Sequence, residues 1–188
     1  MRALRGHFRR RVAAVDPARL VFVDESGINT SMTRARGRAP PGQRVAGAVP
    51  RGHWQTLTMI GAIRLDGMAA AVTVDAATDT DVFGAFVHDA LVPALRPGDL
   101  VLWDGLAPHK ARRVREDVER ARATLMPLPP YSPDLSPIEP AWSKVKGHVR
   151  DVEPRTAEAL GQAAADGFAA VTASDARGWF GNCGYCVQ

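Results

Sequence analysis

Cysteine, lysine and aromatic residues are all scarce in this 188-residue chain. Its two cysteines, Cys183 and Cys186, form a single CxxC pair near the C-terminal end. The second pair or nearby histidines of a tetrahedral zinc site are missing, so the pair reads as reduced, unliganded thiols. Lysine occurs only at Lys110, Lys144 and Lys146, which leaves 21 of the 24 basic side chains as arginine. No apolar run approaches the roughly 20 residues of a membrane-spanning helix. Met1-Arg2-Ala3-Leu4-Arg5 is not followed by the apolar core of a signal peptide. A cytoplasmic protein without a membrane partner is therefore expected.

A hydrophobic fraction of 46% with 23% charged residues is ordinary for a globular chain. This length predicts one domain, or one domain with an arm. A net charge of +4 hints at a polyanionic partner. The arginines gather in residues 2–11, 34–51 and 112–122, where they can contact phosphate. Residues 1–19 read as a basic N-terminal arm, with Leu4, Phe8 and Val12 spaced for a short helix lying on the core. Residues 30–53 form a Gly/Pro/Arg-rich excursion carrying Arg34, Arg36, Arg38, Arg44 and Arg51. Loops of such length are usually functional or mobile.

Two short runs share one pattern. Leu20-Val21-Phe22-Val23 ends in Asp24, and Leu100-Val101-Leu102-Trp103 ends in Asp104. Continuous β-branched and large apolar residues predict strands buried on both faces, hence central in a sheet, with each acid at a strand end. Leu57–Ile63 and Met68–Val74 predict a hairpin turning at Asp66-Gly67. A helix capped by Thr80 is expected to run towards Pro97-Gly98, and another from about Pro108 to carry Val114 and Val118 inward. Thr124–Leu128 is a last short strand, and Thr156 caps a final Ala-rich helix. Strands mixed with helices in this order predict an α/β fold with a mixed sheet.

The most informative stretch runs from Leu128 to Arg150. Pro129, Pro130 and Pro133 disfavour helix before Ser136. Ser136 is the expected N-cap, with Pro137 at the first helical position. Ile138, Trp142, Val145 and Val149 then recur as one apolar stripe, and Glu139, Ser143, Lys146 and Arg150 as its polar neighbour. Glu139 has a purely structural reading as the partner of Ser136 in a capping box. Its functional reading is as a third carboxylate joining Asp24 and Asp104. An all-oxygen set of this kind suits Mg²⁺ or Mn²⁺. Two such ions roughly 4 Å apart serve phosphodiester chemistry.

Asp24-Glu25, the segment Leu102-Trp103-Asp104-Gly105 with His109-Lys110, and the run from Leu128 through Glu139 to Trp142 resemble the DDE transposases of the mariner superfamily. The bacterial branch named for insertion sequence 630 is the most similar. The 34 residues between Asp104 and Glu139 match that superfamily's spacing. The resemblance implies an RNase H-like fold, with a mixed sheet of about five strands flanked by helices, over residues 20–188. It implies Asp24, Asp104 and Glu139 as the catalytic and metal-binding triad, with two Mg²⁺ or Mn²⁺ ions. DNA cleavage and strand transfer at transposon ends would follow, with DNA contacts from Arg34, Arg36, Arg38, Arg44, His109, Lys110, Arg112, Lys146 and Arg150. Implied partners are transposon-end and target DNA, a second copy in a dimeric or larger synaptic assembly, and an upstream helix-turn-helix polypeptide, since no such region precedes Leu20. A nucleoid-associated location in a bacterial cytoplasm follows. Gly105 and Ser136 stand where the family usually has asparagine. The alternative is a remnant that binds DNA or transposase partners without cutting.

Overall fold

The computed structural model describes residues 2–34, 36–104 and 112–186. Its centre is a five-stranded mixed sheet in the order β3-β2-β1-β4-β5. The strands are β1 (Leu20–Asn29), β2 (Thr56–Arg64), β3 (Gly67–Val74), β4 (Leu100–Trp103) and β5 (Thr124–Pro127). The β1–β2 and β2–β3 pairs are antiparallel, while β1–β4 and β4–β5 are parallel.

Both apolar runs singled out in the sequence are fully buried strands at the sheet centre. Successive strand side chains point to opposite faces, and the core divides accordingly. Leu20, Phe22, Leu100 and Leu102 face one apolar cluster, and Val21, Val23, Val101 and Trp103 the other. The first face is covered by α1 (Arg2–Val12), α5 (Ile138–Val152), α6 (Ala157–Ala169) and α7 (Ala173–Asn182). The second is covered by α2 (Thr80–Phe86), which continues through a π-helical turn (Val87–Leu91) into α3 (Val92–Ala94), and by α4 (Arg112–Arg120). Phe8 and Val12 bury the N-terminal helix α1 in the same cluster as β1 and α5.

Four local expectations need correction. β1 does not stop at Asp24 but runs to Asn29, because it passes the end of β4 and keeps β2 as its partner as far as Asn29 opposite Thr56. Asp79, not Thr80, caps α2, accepting from the Asp81 and Val82 backbone N–H groups. Ser136 forms no capping box with Glu139: it closes a 3-10 turn by donating its backbone N–H to the Pro133 carbonyl, and α5 starts one residue later without a side-chain cap. The helix capped by Thr156 is not the last, since α7 follows with a reciprocal Thr172–Asp175 capping box. The Thr-x-x-Asp spacing of that box was legible in the sequence. The excursion between β1 and β2 has no regular structure among its described residues, as expected.

Candidate active site

Strand parity builds the site. Asp24 and Asp104 each stand two residues beyond the last paired position, Phe22 opposite Leu102, on neighbouring parallel strands. Two residues is one full period of a strand. Both acids therefore share the sheet face of Phe22 and Leu102, the face that α5 covers. Glu139 is exposed in the first turn of α5, where the proline-stiffened loop delivers it. All three carboxylates line one cavity of about 790 Å³, walled by Met126, residues 127–133 and Ser136. Among the described residues, no three acid, histidine or cysteine side chains are gathered tightly enough to hold one ion between them.

Asp24 and Glu139 feel one another's charge. Burial pushes the Asp24 carboxyl up to about 6, and the charges of Glu139 and Glu25 push in the same direction. Hydrogen bonds from the Glu25 backbone and the Trp142 indole oppose that rise. Trp142 Nε1 donates to Asp24 Oδ2 at 3.0 Å, so α5 supplies both the exposed Glu139 and a clamp on Asp24. Lys146, two turns beyond Glu139, is held below the usual lysine range by burial and by Arg150, against the attraction of Glu139 and Asp24. A cation and two acids thus share one side of α5.

The other residues expected to contact nucleic acid are more scattered. Lys146 and Arg150 are half-buried on α5. Arg34 is paired through Nε to Asp151 Oδ1 at 2.5 Å, which ties the excursion to the end of α5. Arg36, Arg38 and Arg44 are exposed along the excursion. Arg112 is 92% exposed at the start of α4 and pairs with Glu116. His109, Lys110 and Gly105 lie outside the described residues.

Sequence reasoning missed four contributors. Trp142 reads as one more member of an apolar stripe, yet its indole reaches across 118 residues to Asp24. Gly61 is the register partner of Asp24, and a Cβ there would lie 2.8 Å from the Trp142 ring. The α1 helix lines the cavity with Leu4, His7, Phe8 and Arg11, a single helical stripe. Arg5 clasps the proline loop, donating to Ser132 Oγ at 2.8 Å and to both carboxylate oxygens of Asp134. Of these, only α1 left a local signal, the spacing of Leu4, Phe8 and Val12, which predicted a helix on the core but not a wall of the cavity.

The family described as DDE superfamily endonuclease matches residues 19–161. Among solved structures, the chain is similar to the Mos1 transposase paired-end complex with left transposon end, at a TM-score of 0.72 and 19% identity. That match covers 97% of this chain and 56% of the Mos1 chain, so the present chain spans about half the length of that relative. The Mos1 strand transfer complex matches with a TM-score of 0.66 and 21% identity, over 96% of this chain and 54% of that one. The Mos1 transposase catalytic domain with raltegravir and manganese matches at 0.67 and 16% identity, over 97% and 82%. Identities this low establish the shared fold, the RNase H-like catalytic fold of that transposase. No curated protein matches. With three quarters of its length covered by the family match, and the family's fold around its carboxylate cavity, the chain belongs to the DDE superfamily endonucleases.

Proposed function

We propose that this chain is the catalytic domain of a transposase that uses divalent metal to cut DNA at transposon ends and to join the cut end to target DNA. The observation that carries this reading is the convergence of Asp24, Asp104 and Glu139, from two strands and a helix, on one cavity. The chemistry of the donors fits Mg²⁺ or Mn²⁺: all are carboxylate oxygens, and the Asp24 carboxyl holds its proton up to about 6 because burial and Glu139 disfavour its charge. A bound cation removes that penalty. Asp24, Asp104 and Glu139 would hold two such ions, which would supply activation of the attacking water or 3′-hydroxyl and stabilisation of the leaving oxygen.

The chain's own residues supply the rest. Trp142 orients Asp24 through its hydrogen bond to Oδ2, at a carboxylate that lines the cavity. Lys146 and Arg150 place positive charge beside the carboxylates for a scissile phosphate. Arg34, Arg36, Arg38, Arg44, His109, Lys110 and Arg112 extend the phosphate contacts. Helix α1 lays Phe8 and Val12 into the core and lines the cavity, so reading of the terminal repeats is assigned to a helix-turn-helix unit other than α1. Assembly on DNA as a dimer or larger synaptic complex, and residence at the nucleoid, complete the proposal; among the described residues no helix is long and apolar enough to cross a membrane.

Cleavage of pre-nicked duplex DNA with Mg²⁺, Mn²⁺ or chelator is the test. Wild-type chain is expected to cut only with metal, and Asp24→Asn, Asp104→Asn and Glu139→Gln each to abolish cutting. Metal should also raise the melting temperature of the wild type but not of the triple variant. Metal-dependent DNA binding without any cutting would instead support the remnant.

A further inference from the structure

Tyr131 has no structural reason to be where it is. Its ring is 90% exposed, so it contributes almost nothing to the core. Its backbone has φ 52, in the left-handed region that a bulky side chain avoids. Strain of this kind persists only where the surroundings over-determine it, and here they do. Pro129 and Pro130 stiffen the approach and Pro133 the exit. Ser132 Oγ donates back to the Pro130 carbonyl at 3.2 Å, and Arg5 holds Ser132 and Asp134 from α1. One turn on, buried Leu135 accepts a hydrogen bond from the Tyr185 hydroxyl at 2.6 Å. A rigid loop is thus anchored at several points, and an aromatic ring stands out from it at the rim of the carboxylate cavity.

We propose that Tyr131 is a stacking platform for an unpaired nucleobase beside the phosphate positioned over Asp24, Asp104 and Glu139. The inference rests on the nuclease reading of that cavity. Every base offers a π-face to an aromatic ring, and stacking requires that the base be out of its pair. The ring's surroundings suit nucleic acid: His7 and Arg11 line the same cavity from α1, and Arg9 and Arg10 continue that helix. Because the loop is held in advance, little conformational freedom remains to be lost when the base docks. The substrate class is DNA with a frayed, flipped or overhanging base next to the scissile bond, with little preference for base identity.

The test is a pair of duplexes, one fully paired and one with an unpaired terminal 2-aminopurine, bound without added metal so that cleavage plays no part. Wild type and Tyr131→Phe are expected to quench 2-aminopurine fluorescence and to favour the unpaired end by about tenfold. Tyr131→Ala and Tyr131→Gly should lose the quench and bring that ratio close to one. Tyr131→Gly should at the same time melt higher than wild type, since glycine relieves the left-handed strain, so lost stacking cannot be ascribed to unfolding. Equal ratios for wild type and Tyr131→Ala would overturn the proposal. So would loss of self-association in Tyr131→Ala at an unchanged ratio, which would make a second copy the ring's partner. Failure of the wild type to cut with metal while the quench persists would remove the enzyme reading and leave the platform standing.

Discussion

The indole N–H of Trp142 donates to Oδ2 of Asp24 at 3.0 Å, joining the first carboxylate of the site to the helix that carries the third. Asp24 sits on β1 and Trp142 one turn after Glu139 on α5, so the bond fixes the spacing between strand and helix at the cavity floor. Trp142 is buried and its ring packs edge-on against Phe168 of α6. The clamp is therefore backed by the core.

Trp142→Phe keeps an aromatic ring in that core and removes the donor. One of the two hydrogen bonds that favour the charged Asp24 carboxyl is lost, so its pKa should rise above its present value of about 6. The acid limb of the metal-dependent cleavage profile should move to higher pH at subsaturating Mg²⁺, where proton and metal compete for Asp24. An unmoved limb would show that the indole does not set the charge of Asp24.

Asp24→Asn should stabilise the protein without metal. Folding raises the Asp24 pKa from 3.8 to about 6, so between those values the folded chain binds more protons than the unfolded one. Wild-type stability therefore falls as pH rises through that window and stays reduced above it. Asparagine carries no such penalty. In chelator at pH 8 the variant should be more stable by about 1–2 kcal/mol, after allowance for residual solvent screening. The advantage should vanish below about pH 4. Urea melts of both proteins at the two pH values measure it.

Gly61 leaves room for the clamp. A Cβ there would stand 2.8 Å from Trp142 Cη2, 2.9 Å from Met68 Cε and 3.3 Å from the Ala70 carbonyl oxygen. Met68 can move its end, but the indole is held on its far side. Gly61→Ala should cost about 1–3 kcal/mol. Its effect should be less than additive with Trp142→Phe, because both act on one contact. A double-mutant cycle in urea reads the coupling.

Tyr185 ties the C-terminal segment to the loop ahead of Glu139. Its hydroxyl donates to the Leu135 carbonyl at 2.6 Å, and burial raises its pKa well above the usual tyrosine range. Tyr185→Phe keeps the ring contacts with Phe22 and Phe180 but leaves a buried acceptor without its partner. A loss of about 1–2 kcal/mol is expected, with an unchanged denaturant slope.

DNA binding should be steep in salt and nearly blind to sequence, since arginine contacts to phosphate carry no base information. Neutralising exposed Arg36, Arg38 and Arg44 together should reduce the slope of log K against log salt by about 2–3 if each meets a phosphate. Arg34 is the weaker choice, because Asp151 already holds it. Titration of a transposon-end duplex and a scrambled one decides both points; a preference of about a hundredfold would place a sequence reader within this chain.

The amino-acid sequence alone determined those parts whose physics is local. Two apolar quartets ending in acids had to be strands buried on both faces, because every side chain in them prefers to leave water. The prolines before Ser136 had to postpone the helix, and the spacing of Ile138, Trp142, Val145 and Val149 had to make one buried stripe, as it does. Two helix starts were misplaced by one residue: Asp79 and Thr80 are caps of similar worth, whereas Ser136 is taken up by the preceding 3-10 turn and leaves α5 without a side-chain cap. The tertiary structure decided everything that depends on which element lies beside which. β1 outruns β4 and keeps β2, so a strand end foreseen at Asp24 is only the end of one pairing. Trp142 finds Asp24 across 118 residues, Arg5 finds Ser132 across 127, and α1 becomes a wall of the cavity. No periodicity encodes such contacts, because they exist only after the sheet has set its strand order and the helices have chosen their faces.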